Sequence, residues 1–348
     1  MTQITTIGMD IAKQVNHVVG VNAAHREVLK KKLRRGQVLE FFAQLPSCTV
    51  AMEACAGAHE WARQLEALGH RVVLIPPTLV KGYVQGNKND YNDACAIVEA
   101  SRRPGLRPVP VKSREQQDLQ ALHRLRQRQI SARTALSNQI RGLLAEYGLV
   151  LPRGLATLRR RLPEILEDAE NGLSDLFRRL LNQCQGQLRA LDEQVEFYTR
   201  LIDEQARHSE PQQRLQRLPG FGPILASVFH GKVGDGHGFR RGRDVSAAVG
   251  LVPRQHSSGD KPCLLGISKR GDRHLRALLV HGARSVVSRA DGKQDPQSRW
   301  IQRLVARRGK NKATVALANK MARMGWAVLR HGVDYAPDRA FATASVAH

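Results

Sequence analysis

The order of patterned segments in residues 1–75 constrains this chain more than any other feature. Residues 4–9, 15–21 and 27–33 are short runs with turn-length gaps between them, and they read as three strands. Residues 37–44 read as a helix and residues 48–52 as a fourth strand. AHEWARQLEAL (58–68) is amphipathic at helical spacing, and Gly69 follows it as a natural C-cap. A further buried strand at 72–75 is stopped by Pro76 and Pro77.

Three strands, then helix, strand, helix and strand is the element order of the ribonuclease-H-like fold, so the N-terminal part is expected to be α/β. That order gives meaning to the acidic residues. Asp10 ends the first strand (TTIGMDIAK) and Glu53 the fourth (TVAMEACAG). Asp90 and Asp93 form a D-x-x-D at the start of an expected helix in GNKNDYNDACAIVEA, a spacing that puts both carboxylates on one helix face. Folded in that order, the four acids converge on one pocket, and such a cluster stays ionised only with cations beside it. Mg²⁺ is the expected ion because it takes oxygen ligands and keeps waters, with Mn²⁺ served equally by the same donors. Two ions on the order of 3.5–4 Å apart would clamp the attacking and leaving oxygens of a phosphodiester. Singly the acids say little, since an Asp after a strand is commonly a turn residue and a D-x-x-D can simply favour a helix dipole.

Charge points the same way. Fifty-five Lys and Arg against thirty-one Asp and Glu leave a formal +24, an excess that repels itself unless a polyanion neutralises it. Nucleic acid fits better than a membrane surface, because no conspicuous amphipathic helix sets the basic residues opposite Trp or Phe. No apolar run approaches the roughly 18–20 residues of a membrane span, and the N-terminus lacks a signal-peptide layout, so the expected location is the cytoplasm, at the bacterial nucleoid. Hydrophobic residues, 42% of the chain, suffice for real cores. The five cysteines (Cys48, Cys55, Cys95, Cys184, Cys263) show no zinc spacing and read as reduced thiols packed in cores.

Beyond residue 110 the texture becomes helical. Leu122, Leu125, Leu136, Ile140, Leu143 and Tyr147 recur at helical spacing within a proline-free stretch, 114–147. A second helix is expected from 173 to about 207, with Phe177, Leu180, Cys184, Leu188, Leu191, Val195, Tyr198 and Ile202 repeating like a heptad seam. Joined by a Pro-punctuated stretch at 151–172, the two form either an antiparallel coiled-coil arm or an ordinary bundle core. Past 208, glycine-rich basic loops separate helical pieces at 274–287, 297–307 and 314–329, and the Ala-rich tail shows no pattern. The expected division is 1–110, 111–207, 208–335 and a flexible tail, 336–348.

Two stretches of the C-terminal part carry chemistry. RLQRLPGFGPILA (214–226) looks like a helix-hairpin-helix, whose turn at Gly220 and Gly222 exposes backbone N–H groups to phosphate; the plain alternative is a Gly-Pro turn between helices. AVGLVPRQHSSGDKPCLLGISKRGDRHLR (248–276) sets Ser257 and Ser258 among Arg254, His256, Lys261, Lys269, Arg270, Arg273 and Arg276. A serine there can attack phosphorus while the cations offset transition-state charge, or both serines merely bind phosphate.

GMDIAK, VAMEACAGAHEWARQL, NDYNDACAI, LPGFGPILAS and VGLVPRQHSSGDKPCLLGISKRGDRHLRALLVHGARS together resemble the Piv-like DEDD transposases and DNA invertases of the insertion-sequence-110 group, over nearly the whole chain. The resemblance implies a RuvC-like catalytic domain, a C-terminal transposase domain, and an acidic tetrad at Asp10, Glu53, Asp90 and Asp93. It implies a nucleophilic serine at Ser258, with Ser257 as the alternative, forming a phosphoserine link. It also implies a structured guide RNA that pairs with donor and target DNA, and a homo-oligomer, dimer or tetramer, with composite sites. The rival on the same fold is a metal-dependent, structure-selective endonuclease without serine chemistry.

Overall fold

The computed structural model describes residues 3–86, 89–257 and 263–341. The chain divides into two compact units, Met1–Ser113 and Arg114–His348.

In the first unit, β1 (Ile4–Asp10), β2 (Val15–Asn22) and β3 (Glu27–Arg34) are followed by α1 (Val38–Ala43), β4 (Thr49–Glu53), α2 (Ala58–Ala67), β5 (Arg71–Ile75), α3 (Pro77–Val80) and α4 (Asp90–Ser101). Tight gaps let β1, β2 and β3 pair antiparallel, whereas β1, β4 and β5 pair parallel because helices carry the chain back between them. The strand order is β3-β2-β1-β4-β5. This is a five-stranded mixed sheet, and each of its elements lies within one residue of its expected bounds.

Alternation along the strands feeds two cores. Ile7, Met9, Val50 and Met52 pack with Val38, Phe42, Trp61 and Leu65 on one side. Ala51, Val73 and Ile75 pack with Val80, Ile97 and Ala100 on the other. Lys30, Lys31 and Lys32 lie on β3, where charge discourages further strand pairing at the sheet's edge.

The second unit begins with α5 (Arg114–Ala145), α6 (Leu155–Glu167) and α7 (Asp175–His208). Arg126 Nε donates to Thr199 Oγ1 at 2.8 Å, Arg133 Nη1 to Asp192 Oδ1 at 2.9 Å, and Tyr147 stacks on Phe177 at 4.1 Å. The α7 partner moves back as the α5 residue advances, so the two long helices run antiparallel.

Their buried stripes differ from the expected ones. In α7, Leu181, Leu188, Val195 and Ile202 are buried at a strict seven-residue interval, while Leu180 is 53% exposed. The cause is α6, which forms despite Pro163 in the stretch expected only to connect. Its Leu158, Leu162 and Ile165 join Phe177 and Leu181 in one core and so draw the buried face of α7 towards Leu181. In α5, Leu119, His123, Ser137, Ile140 and Leu144 are buried, whereas Leu125 and Leu143 are exposed, as is Tyr147 just beyond the helix.

The chain continues through α8 (Glu210–Gln216), α9 (Pro223–Val233), α10 (Gly242–Ala248), a hairpin of β6 (Pro253–Gln255) and β7 (Leu264–Ile267), then α11 (Arg273–Val287), α12 (Pro296–Arg308), α13 (Lys310–His331) and α14 (Pro337–Phe341). Phe221, Phe229, Leu275, Leu279, Leu317 and Met321 lie at the centre of this core. The sequence pattern predicts loop where the hairpin forms and frayed tail where α14 forms. The antiparallel pairing of Pro253 with Ile267 and of Gln255 with Leu264 makes the former, and Phe341, edge-on to Trp300 at 5.5 Å, anchors the latter. No helix among the described residues is long and apolar enough to cross a membrane.

Candidate active site

Strand register places the first two acids. Met9 pairs with Met52 across the parallel β1 and β4, so Asp10 and Glu53 stand at the C-terminal ends of neighbouring strands. The other two sit in the first turn of α4, whose N-cap is Asn89; its Oδ1 accepts from the Tyr91 N–H at 2.9 Å.

What brings helix to strand is a missing side chain. A Cβ on Gly8 would lie 2.3 Å from Ala94 O and 2.6 Å from Val98 Cγ2, so only glycine lets α4 press this closely on β1. Gly8 and Asp10 share a strand face, and the helix that Gly8 admits starts with Asp90 and Asp93. The ligand atoms of Asp10, Asp90 and Asp93 consequently all lie within 4.8 Å of one another. Glu53 stands outside that trio.

The carboxylates resist sharing this space. The Asp10 acid is pushed up to about 6, first by burial and then by the charges of Asp93 and Asp90, with a smaller push from Glu53 and an opposing pull from His17. Glu53 is raised as well, by burial and by Asp93. The Cys55 thiol is held high by burial, then by Glu53 and Asp10, which keeps it protonated and unreactive. Three clustered oxygen donors, one of them the half-buried Asp10 carboxylate, fit a hard divalent cation, which would relieve the burial and repulsion at Asp10 at once.

A further side chain, His17, joins the acids in the folded protein. It lies directly across from Asp10 in the β1–β2 ladder, and its Nδ1 sits 3.4 Å from Asp90 Oδ2. The available signal was a lone imidazole within the apolar run VNHVVGV on the strand next to Asp10.

The C-terminal candidates separate into engaged and exposed groups. Gly220 adopts φ +90°, and a Cβ there would meet Met321 Cε at 2.8 Å and Gly282 O at 2.9 Å, so this turn is packed against α11 and α13. Gly222 is the N-cap of α9, with no side chain capping that helix end.

Arg254 and His256 are exposed on the hairpin, as are Lys269 and Arg270 at its base and Arg273 in the first turn of α11. Arg276 Nη1 instead donates to Val249 O at 2.9 Å and to Arg270 O at 3.1 Å, bracing the hairpin base. Ser257 Oγ accepts from Cys263 N at 3.1 Å and from Gln255 Nε2 at 3.2 Å. Ser258 and Lys261 lie outside the described residues. Cys263, expected in a core, is exposed at the start of the two-stranded β6–β7 sheet, just before β7.

Two family models match this chain. The DEDD transposase model of the IS110 type covers residues 7–149, and the model for transposases of the IS116/IS110/IS902 family covers residues 212–299. A probable family 20 transposase of Pseudomonas aeruginosa is 48% identical over 96% of this chain and 99% of its own length. The transposase for insertion sequence element IS1111A of Coxiella burnetii is 44% identical, over 96% of this chain and 92% of its own. The transposase for IS1328 of Yersinia enterocolitica is 40% identical over 96% and 99%.

The chain belongs to the IS116/IS110/IS902 family of transposases. Such enzymes cut and rejoin DNA, so DNA is a partner of this transposase. The first model spans all four acids, and the second spans the α8–α9 turn and the basic hairpin. A DEDD transposase works with a divalent metal, and the Asp10–Asp90–Asp93 group is able to hold one.

Proposed function

We propose that this transposase recombines DNA with two cooperating sets of groups: a metal-binding tetrad of Asp10, Glu53, Asp90 and Asp93, and a nucleophilic serine, Ser258. The observation that carries the reading is the convergence of Asp10, Asp90 and Asp93 within 4.8 Å at the end of a strand whose sheet order, β3-β2-β1-β4-β5, suits a ribonuclease-H-like, RuvC-like domain. The domain division proposed with it is 1–110 catalytic, 111–207 helical arm, 208–335 transposase domain and 336–348 tail.

Bound Mg²⁺, with Mn²⁺ as the alternative, would supply Lewis-acid stabilisation of charge on the phosphodiester. The chain's own part is to hold the cation and to aim the strand. Asp10, Asp90 and Asp93 provide the closest oxygens, and Glu53, which feels the charge of Asp93, completes the set from β4. Ser258 Oγ forms a bond to phosphorus as the bond to the departing strand oxygen breaks, and the hydroxyl proton ends on that oxygen. The bond energy stays in the phosphoserine ester, so a second strand's hydroxyl can reverse the step and rejoin. Ser257 remains the alternative nucleophile, but its oxygen already accepts two hydrogen bonds, which occupies its lone pairs.

Arg254, His256, Lys261, Lys269, Arg270 and Arg273 would line the DNA backbone, with Arg276 shaping the surface they share. The +24 charge suits a larger polyanion than one duplex, which supports a structured guide RNA pairing with donor and target DNA, and a homo-oligomeric assembly around both.

The test is covalent trapping. Protein, labelled donor and target duplexes, RNA from the flanking sequence and Mg²⁺ are resolved on a denaturing gel. A protein–DNA adduct lost in both Ser258→Ala and Asp10→Ala is the expected result. An adduct lost only in Ser257→Ala moves the nucleophile by one residue. Cleaved ends without any adduct would replace this reading with a metal-dependent nuclease.

A further inference from the structure

Strand register draws one row of side chains across the sheet of the first unit. Asp10 pairs with His17, and His17 pairs with Lys32. On the other side, the pairing of Met9 with Met52 carries the row on to Glu53. Residues opposite one another in a sheet share a face, so Lys32, His17, Asp10 and Glu53 all belong to the face that α4 covers. Neighbouring strands lie about 4.8 Å apart, which sets the Lys32 backbone roughly 10 Å from that of Asp10.

The pleat sorts the three consecutive lysines of β3 between the two faces. Lys31, opposite Val18, lies on the α1 side, with its Nζ 4.9 Å from the centre of the Phe41 ring. Lys30, opposite Val19, lies on the α4 side, with its Nζ 4.6 Å from the centre of the Tyr91 ring. Tyr91 follows Asp90 in the first turn of α4, so Lys30 stands beside the acids. Lys32 shares the face of Lys30 and is exposed.

Neither lysine serves as a counter-ion to the acids. Among the described residues no carboxylate forms an ion pair with Lys30 or Lys32. The charges that move the Asp10 acid are those of Asp93, Asp90, His17 and Glu53, with no lysine among them. His17, only 8% exposed, fills the place between Lys32 and Asp10. Guarding a sheet edge needs charge on the strand but does not need it on one chosen face. A cation in line with an acid pocket, yet not neutralising it, is available to an anion that the substrate brings.

We infer that Lys32 binds a backbone phosphate of the DNA strand being cut, beside the scissile bond, with Lys30 as a second positive charge on the same face. The strand would then reach the acids by crossing β3 and β2, along the row from Lys32 to Asp10. The assignment rests on the reading of Asp10, Glu53, Asp90 and Asp93 as the metal site and adds to it a path for the substrate. A lysine ammonium is a point charge on a flexible stem, so it holds the backbone without choosing the sequence.

Lys31 is a control built into the same strand. Full-length protein is pulse-acetylated with and without a duplex of arbitrary sequence, in Mg²⁺, and labelling at each lysine is read by mass spectrometry. Duplex should suppress labelling of Lys32 and leave that of Lys31 unchanged. In anisotropy titrations between about 50 and 200 mM salt, Lys32→Gln should weaken duplex binding about threefold and make the log–log salt slope shallower by about 1. Lys31→Gln should change neither, and Lys32→Arg should restore both. Mn²⁺ affinity, read by calorimetry, should be the same in all three variants.

Labelling of Lys32 unaffected by a duplex that the protein binds would overturn the path and leave the metal-site reading standing. Equal protection of Lys31 and Lys32 would also overturn it, since the face would then be immaterial. Protection of Lys32 by hairpin RNA but not by duplex would overturn the DNA assignment. Loss of Mn²⁺ binding in Lys32→Gln would make the lysine part of the metal site and overturn its role toward phosphate. A parent protein that binds neither duplex nor Mn²⁺ would overturn the path and the metal-site reading together.

Discussion

The acid pocket and the basic hairpin carry the two halves of the proposed chemistry, and they are built by opposite means. The pocket is made by burial. Gly8 draws a helix onto a strand, and Asp10, half buried beneath it, becomes a weaker acid. The hairpin is made by exposure. Its framework is locked at the base, by Arg276 across two carbonyls and by Gly271, where a Cβ would fall 1.8 Å from Ala248 O. The basic side chains above that base stay in water. Metal-binding acids need a dry, crowded place to make a cation worth binding, whereas phosphate-binding cations need reach and hydration until DNA arrives. Substitutions in the first region should therefore act through folding and metal affinity, and those in the second through DNA.

The hardest break of that contrast is Gly8→Val. Its side chain must displace α4, so the expected cost is about 3 kcal/mol or more together with a loss of Mn²⁺ binding, read by thermal melting and calorimetry. Normal metal affinity in this variant would show that the β1–α4 contact does not build the pocket. Next comes Gly271→Ala, at φ +76°, where strain and the clash with Ala248 should cost roughly 2 kcal/mol and abolish adduct formation. Metal affinity is expected to survive there, and its loss would blur the separation of the two regions.

Acidity sharpens the comparison. Burial, with His274 and Arg126 nearby, pushes the His123 imidazole down from 6.5 to about 4. Between those values the unfolded chain holds the extra proton, so this group's share of stability is intact above 6.5 and falls as pH drops toward 4. Asp10 in metal-free protein has the opposite sign. Raised from 3.8 to about 6, it favours the folded state at low pH, and that support is lost as pH rises through about 6. Urea denaturation in chelator at several pH values should show His123→Gln removing the first dependence and Asp10→Asn the second. The smallest expected effect distinguishes two neighbouring arginines. Arg276→Gln should lower stability by about 1 kcal/mol, while Arg273→Gln should leave the melt unchanged and make the salt slope of DNA binding shallower by about 1.

How much of this was legible beforehand depends on which forces set each part. The strand and helix bounds of the first unit were readable because each segment is short, strongly patterned and closed by a breaker, such as Gly69 or Pro76. The stripe of α7 was misread by one position, at Leu180 in place of Leu181, because α6 supplies a third surface that a two-helix heptad cannot anticipate. In α5 the buried set includes His123 and Ser137, residues that no hydrophobic count selects. His123 is admitted by a partner 104 residues away, Ser227 Oγ at 2.9 Å from its Nε2.

By itself the sequence determined the element order of the first unit, the positions of four acids on it, the polyanion-seeking charge and the family. All of these depend on residue types at fixed spacing. Tertiary structure alone decided that Asp10, Asp90 and Asp93 are near enough to share an ion while Glu53 stands off, that His17 faces them, and that Arg276 braces the hairpin. Distance between residues far apart in the chain is set by packing. A glycine that lets two backbones meet, or a helix that covers a third face, leaves no periodic trace in the chain.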